Sequence, residues 1–379
     1  MKVLILSCNT GEGHNAAGRA IHEKMLQMGV ASEFADTLAI AGGRVSRSVN
    51  NTYVGITTSS PKTFGRIYSI GRAVSDFNTQ TLHCKSPVYA ANTLYRNKLA
   101  RFIKSGGYDV AVMPHLFPAE CLTSLRRRGM LDIPFVNIAT DYACIPFWEE
   151  TSPDYFVIPH GDLAEDFYSR NIPREKLLPF GIPVSDCFRQ KTDKAQARRQ
   201  LGLASDRPIL LIMSGSMGFG HLGELTEALL AGFGGGTQIV ILCGRNEALR
   251  KRLSDRLAEH SNVMLQPFTD QVSLFMDAAD MVFTKPGGLT STEAAVKRTL
   301  LVHTAPIPGC ETINARFFSE RGLSVSAPES CGATAEAAFA LWQNREAQAA
   351  MLDAQRRHIN PHAADDICQF IITHFSGKK

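Results

Sequence analysis

Short apolar runs alternate with amphipathic stretches along most of the chain, and the alternation predicts strands and helices in turn. Residues 2–7 (KVLILS) read as a buried strand, and 15–27 carries Ala16, Ala20, Ile21 and Met25 at helical spacing. A second strand is expected at 31–36. Residues 42–104 break the rhythm and read as helical pieces at 46–55, 64–77 and 88–104. Alternation resumes with a strand at 109–113, a helix at 118–127, strands at 134–139 and 155–158, and a helix near 163–169. Residues 177–183 (LLPFGIP) read as a last strand running into a linker, since Pro and Gly punctuate elements. From 191 a fresh series begins, with strands at 209–213, 238–243, 263–266, 281–283, 299–302 and 323–326. Helices are expected between them, among them 222–230 and 292–298, and 335–375 is helical with a break at Pro361.

Strands that alternate with helices imply an α/β fold with parallel sheets. A chain of 379 residues suits two such domains, and the linker divides it into 1–184 and 185–349. With 44% hydrophobic residues, each domain can bury a core. The net charge of +4 is too small to argue for nucleic acid. Nine cysteines lie far apart, without a C-x-x-C or a Cys/His cluster, so neither a zinc site nor a disulfide framework is indicated. Scattered thiols of odd number fit a reducing cytoplasm. The opening apolar run is too short for a signal peptide. No run approaches the ~20 apolar residues of a membrane helix, so any membrane contact is expected to be peripheral.

Chemistry concentrates at Lys285-Pro286-Gly287-Gly288-Leu289-Thr290-Ser291-Thr292-Glu293, between the strand at 281–283 and its helix. Gly287 and Gly288 let backbone pass close to a ligand. The helix start exposes the N–H groups of Leu289, Thr290 and Ser291, which favour an anion. Glu293, one turn in, can accept hydrogen bonds from vicinal hydroxyls, so the stretch suits a nucleoside diphosphate with its ribose. An ordinary βα turn with an acid in the first helical turn fits the same residues.

The next strand runs into Pro306-Ile307-Pro308-Gly309-Cys310-Glu311-Thr312-Ile313-Asn314, a second Pro/Gly loop opening a helix. Adjacent βα loops face one crevice at the carboxyl ends of an open parallel sheet, so one can hold the nucleotide and the other the group attached to it. The pair K-P-G-G-x-T-x-x-E and P-x-P-G-x-E-x-x-N resembles the donor site of the monogalactosyldiacylglycerol synthase and diacylglycerol glucosyltransferase family. That family is related to the lipid II-forming N-acetylglucosaminyltransferase. The resemblance implies a GT-B fold, two Rossmann-like domains facing a cleft, with the C-terminal helix, 350–379, returning to complete the first domain. It makes Gly309, Cys310, Glu311 and Asn314 donor-binding. Relatives usually carry Gln where Cys310 stands, which leaves the sugar open.

Other loops extend the resemblance. Gly215-Ser216-Met217-Gly218-Phe219-Gly220 resembles the glycine loop that meets the donor phosphates, and it lacks the Lys-Ser/Thr of a P-loop. Cys243-Gly244-Arg245-Asn246 matches the family's C-G-R-N, with Arg245 a phosphate partner or a solvated helix-start residue. Gln266-Pro267-Phe268 marks the turn whose backbone reads uracil in the family; a hydrophobic plug fits too. Thr10-Gly11-Glu12-Gly13-His14 matches the G-x-G-H loop, whose His14 would take a proton from the acceptor hydroxyl, imidazole titrating near neutrality. A polar cap on the helix start is the other reading of His14. Asp141 either orients His14 or an acceptor, or forms a simple Asx turn. Family members often carry His four places after that Asp; here it is Ile145.

The retaining pattern needs a second Glu eight residues after Glu293, where Leu301 stands, so inversion is expected. No D-x-D follows a strand; the expectation is no metal and no cofactor, with the helix start and Arg245 neutralising the leaving diphosphate. Arg66, Arg72, Lys98 and Arg101 lie in an aromatic, basic segment that suits an anionic membrane surface; a solvated basic face is the alternative. The resemblance thus implies transfer of a hexose from a UDP-sugar to a lipid hydroxyl, diacylglycerol foremost, by a cytoplasmic protein peripheral on the inner face of the membrane. Gly11-x-Gly13-x-x-Ala16 with Asp36 also fits an NAD(P)-dependent dehydrogenase, and a UDP-sugar epimerase or a lipid-linked N-acetylglucosaminyltransferase fits the same scaffold.

Overall fold

The structure is a computed structural model that describes residues 1–8, 12–42, 73, 85–213, 215 and 221–377. By contacts the chain divides into two compact units. One takes Met1–Ser185, Pro308–Cys310 and Asn360–Lys379; the other takes Asp186–Ile307 and Glu311–Ile359. Residues 350–359, expected with the first domain, therefore lie with the second, and the returning segment begins at Asn360.

In the first unit the elements run β1 (Lys2–Ser7), α1 (Glu12–Gln27), β2 (Ala31–Asp36), α2 (Thr37–Ala41), α3 (Pro87–Asn92), α4 (Arg96–Gly106), β3 (Val110–Met113) and α5 (Leu116–Arg127). They continue with β4 (Phe135–Ile138), β5 (Tyr155–Val157), α6 (Ala164–Tyr168) and β6 (Leu177–Leu178). The sheet is parallel throughout, in the order β2-β1-β3-β4-β5-β6. Alternate residues of β1 serve opposite cores, as the two-residue period of a strand requires. Val3 and Ile5 belong to one core with Ile21 and Met25; Leu4 and Leu6 belong to the other with Leu99, Ile103 and Leu122. Both faces are covered, which is why β1 reads as a continuous apolar run. Gly18 lets α1 approach the sheet: a Cβ there would stand 2.8 Å from Phe34 and 3.1 Å from Ile5.

The second unit runs α7 (Asp186–Arg189), α8 (Lys194–Leu201), β7 (Ile209–Met213), α9 (Leu222–Phe233), β8 (Gln238–Leu242), α10 (Glu247–Arg256), β9 (Val263–Gln266), α11 (Val272–Ala278) and β10 (Met281–Thr284). It continues with α12 (Gly288–Val296), β11 (Leu300–His303), α13 (Cys310–Glu320), β12 (Val325–Ser326), α14 (Cys331–Gln343) and α15 (Arg345–His358). Its parallel order is β12-β11-β10-β7-β8-β9, the doubly wound Rossmann order. The last helix, α16 (Ala363–Phe375), belongs to the first unit, where Ile367 and Ile371 share a core with Val3, Ile5 and Ile21.

Three local expectations shift. The helix expected at 292–298 begins at Gly288, because Gly287 is still extended (φ −71, ψ 137) and the helix starts directly after it. The helical tract expected as one piece with a break at Pro361 is also divided at Asn344, which leaves helical geometry (φ −107, ψ 94) and caps α15 through its side chain. The final strand and the strand at 177–183 shrink to two residues each at the sheet edges. The helical pieces expected at 46–55 and 64–77 lie outside the described residues, apart from the helical residue at position 73.

Candidate functional site

Each sheet reverses its strand order once, and ligands of open α/β sheets gather at the carboxyl ends of the strands beside that reversal. In the first unit it lies between β1 and β3, in the second between β10 and β7.

At the first switch point stands His14, in the opening turn of α1. Its Nδ1 is 2.9 Å from the carbonyl oxygen of Pro114, which follows β3, and 2.8 Å from Thr140 Oγ1, which follows β4. A carbonyl oxygen only accepts, so Nδ1 carries the proton and Nε2 keeps the basic lone pair. Burial holds the His14 imidazole below its ordinary pKa, opposed by the Asp141 carboxylate and by the Pro114 hydrogen bond. The ring is therefore neutral near pH 7. His115 meets it edge to face, centroids 4.6 Å apart. Its own Nδ1 accepts the Phe117 N–H at 3.2 Å and caps α5. Burial and the neighbouring His14 keep His115 well below the ordinary histidine range. Thus the sequence-expected His14 and Asp141 do converge, while Thr140, Pro114 and His115 complete the group. Position 115 was legible only as a polar residue after a strand.

Asp36, the ribose-binding acid of the dehydrogenase alternative, accepts the Leu38 N–H at 2.9 Å and caps α2. Trp148 is buried and packs edge-on against Phe156, so it serves the core.

In the second unit, α12 aims its amino end at the sheet's carboxyl edge. Two buried contacts hold it there. Ser291 Oγ meets His303 Nε2 of β11 at 2.9 Å, with Ser324 Oγ 3.1 Å from the other ring nitrogen; burial pushes His303 down to about 3, so it is a neutral strut. At the far end Lys297 pairs with Asp277 at 2.7 Å, a cation at the helix carboxyl terminus. Among the described residues no side chain caps the amino end. Ser291 N–H is already used, bonding to Gly287 O at 3.0 Å, so Gly288, Leu289 and Thr290 supply the open amides rather than Leu289 to Ser291.

Glu293 is buried on α12, and among the described residues nothing pairs with its carboxyl; burial alone pushes it up to about 8. Its neighbours at the edge are tied together. Glu311 Oε1 pairs with Lys285 Nζ, and Oε2 accepts the Ile307 N–H at 2.8 Å. Asn314, fully buried, donates to Pro286 O at 3.0 Å. Both residues thus lace the β10 and β11 loops to one another. Gly309, at φ +125, turns the chain into α13, which Cys310 opens half-buried. Arg245, after β8, lays its guanidinium 4.4 Å over the ring of Phe268, after β9, which is 52% exposed. Gly215 is left-handed at φ +71. Ser216 and Gly218 lie outside the described residues, as do Arg66 and Arg72. Lys98 and Arg101 are exposed on α4, with Lys98 Nζ donating to Ala41 O at 2.6 Å.

Among the described residues, no helix is long and apolar enough to cross a membrane.

Residues 14–184 match the family model of monogalactosyldiacylglycerol (MGDG) synthase, and residues 209–365 match the glycosyltransferase family 28 C-terminal domain. The processive diacylglycerol beta-glucosyltransferase of Staphylococcus saprophyticus is 27% identical over 279 residues, 73% of this chain and 70% of that protein. The protein of the same description from Bacillus pumilus is 25% identical over 326 residues, 86% of this chain and 82% of its own. Among solved structures, MurG of Acinetobacter baumannii aligns with a TM-score of 0.62 at 15% identity, covering 98% of this chain and 99% of its own. A UDP-GlcNAc 2-epimerase from Neisseria meningitidis, bound to UDP-GlcNAc, aligns at 0.66 and 14% identity, covering 99% and 100%. At such identities these likenesses establish the double-Rossmann GT-B fold alone. The sequence matches go further: the two models together span most of the chain, so residues 14–184 belong to the monogalactosyldiacylglycerol synthase family and residues 209–365 to the glycosyltransferase family 28 C-terminal domain, and the whole is similar to the processive diacylglycerol beta-glucosyltransferases.

Proposed function

We propose that this protein transfers a hexose from a UDP-sugar to the hydroxyl of diacylglycerol, with inversion. The relatives' described activity supports the reaction class. The observation that carries the donor assignment is Glu293, a buried carboxyl without a partner among the described residues, on the helix whose uncapped amino end opens at the switch point. Vicinal ribose hydroxyls would supply the missing donors, and the open amides of α12 suit the diphosphate. The second unit holds the UDP-sugar in this reading; the first supplies the lipid acceptor and the base. His14 Nε2 takes the proton of the acceptor hydroxyl as its oxygen bonds to the anomeric carbon. The bond from that carbon to the diphosphate breaks, and UDP leaves with its electron pair. The reading calls on no metal ion.

The same reading makes the protein peripheral on an anionic bilayer surface. Helix α4 supports it: Leu99, Ala100 and Ile103 are buried, while Lys98, Arg101 and Lys104 face outward and line an open groove of about 840 Å³ with Ile40, Phe102 and Ser105. Incubating the protein with a panel of UDP-sugars and diacylglycerol vesicles, read by mass spectrometry, tests the whole. A hexosyl-diacylglycerol product is expected. Conversion of a UDP-sugar without lipid would mark an epimerase instead, and no product with any donor would overturn the proposal.

A further inference from the structure

Three loops of the second unit meet on one side chain. Lys285 follows β10 at the sheet's carboxyl edge, and β10 lies between β11 and β7. Toward β11, its ammonium pairs with Glu311, whose other oxygen is held by the Ile307 amide. Toward β7, a Cβ added to Gly215 would stand 3.3 Å from Lys285 Cε, so the lysine stem lies against Gly215. The side chain is 28% exposed, whereas that of Glu311 is 9% exposed. Among the described residues Glu311 is the one acceptor that the ammonium meets, and an ammonium has three donors to give.

The position matters because of charge. A diphosphate bound at this switch point would lie beside the Glu311 carboxylate, which repels it. The amino end of α12 offers only about half a positive charge against that anion. Arg245, the cation expected from the sequence, has its guanidinium stacked on Phe268. Lys285 is a full charge at the reversal itself, with Glu311 on one side and Gly215 on the other.

We propose that the Lys285 ammonium takes the second phosphate of a nucleoside diphosphate at this edge, and that Glu311 is the carboxylate that aims it. The proposal rests on the reading of the second unit as the UDP-sugar site. During transfer the bond between the anomeric carbon and the diphosphate oxygen breaks, and the electron pair stays on that oxygen. Lys285 then donates a charge-assisted hydrogen bond where the negative charge grows.

UMP and UDP differ by that phosphate, so calorimetric titration of the full chain with both isolates the contact. Wild type is expected to prefer UDP. Lys285→Met should lose UDP affinity by about tenfold or more, the worth of a hydrogen bond to a charged group, with UMP affinity unchanged. Lys285→Arg should keep most of the preference. An unchanged UDP-to-UMP ratio in Lys285→Met would overturn the proposal and leave Lys285 a clasp for Glu311. If Lys285→Met melts as an unfolded chain, Lys285→Gln takes its place: a reduced UDP-to-UMP preference with UMP affinity kept supports the proposal, and an unchanged ratio overturns it. Wild type that binds neither nucleotide would remove the donor reading along with it, whereas normal binding with an unchanged ratio removes this proposal alone.

Discussion

Thr140 Oγ1 and the Pro114 carbonyl converge on one atom, Nδ1 of His14, at 2.8 and 2.9 Å. Two strands of the sheet, β4 and β3, thereby decide which nitrogen of an α1 histidine stays basic. His115, its ring inclined 75° to that of His14, limits its tilt.

Removing the base should stop chemistry and spare the donor. His14→Ala is expected to cut turnover by about 10²–10⁴, the usual worth of a positioned base, while UDP affinity stays at the wild-type value. Because the His14 pKa is depressed, the active neutral ring persists below the ordinary 6.5. The acid limb of the turnover profile should accordingly fall below pH 6.5. Near wild-type turnover in the alanine variant would make His14 a helix cap and direct attention to Asp141.

Glu293 predicts proton-linked donor binding. Its carboxyl, raised to about 8, is protonated at neutral pH in the free protein. Two hydroxyls donating to it favour the carboxylate, so binding releases a proton and UDP affinity rises with pH until it levels off above about 8. Titrations in buffers of different ionisation enthalpy count that proton. Glu293→Ala should weaken UDP by about 1–3 kcal/mol and abolish the release. A variant that binds UDP as the wild type does would take Glu293 out of the site.

A second buried acid shapes stability. Glu120 on α5 accepts from Asn92 at 2.6 Å through one oxygen, the other lacking a partner among the described residues, and burial pushes it up to about 8. An unfolded glutamate ionises near 4.5, so between 4.5 and about 8 the folded chain holds the extra proton. Stability contributed by this group is full below that window and is lost as pH rises through it. Glu120→Gln, which does not ionise, should flatten the decline. Melting temperatures of both proteins from pH 5 to 8 check it; parallel curves would exclude Glu120 as the source.

Membrane binding should be electrostatic. Arg66, Arg72, Lys98 and Arg101 changed together to Gln are expected to release the protein from vesicles containing anionic lipid without altering UDP binding. Wild-type flotation should fall as salt rises, since each exposed cation near the surface contributes up to ~1 kcal/mol and is screened. Equal flotation of the two proteins would take the role from these residues.

The apolar runs and the Pro/Gly breaks were enough to place nearly every described strand, because a strand buried on both faces is apolar along its own length and a βα turn declares itself locally. The same locality made Gly287, Gly288, Glu293 and Glu311 visible as a motif. Local pattern did not show where α12 begins or that Asn344 divides the last helical tract, since both depend on one residue's backbone angles. Nor did it show which loops would touch. Lys285 reaches Gly215 and Glu311 because β10 lies between β7 and β11, an order that the chain's sequence of elements does not state. His14 meets Pro114, His115 and Thr140 for a like reason: β1 pairs with β3 while β2 lies at the sheet's edge. The chemistry of each side chain was written along the chain; its partners, and with them its protonation, were decided by which strands pair in parallel far from their neighbours in sequence.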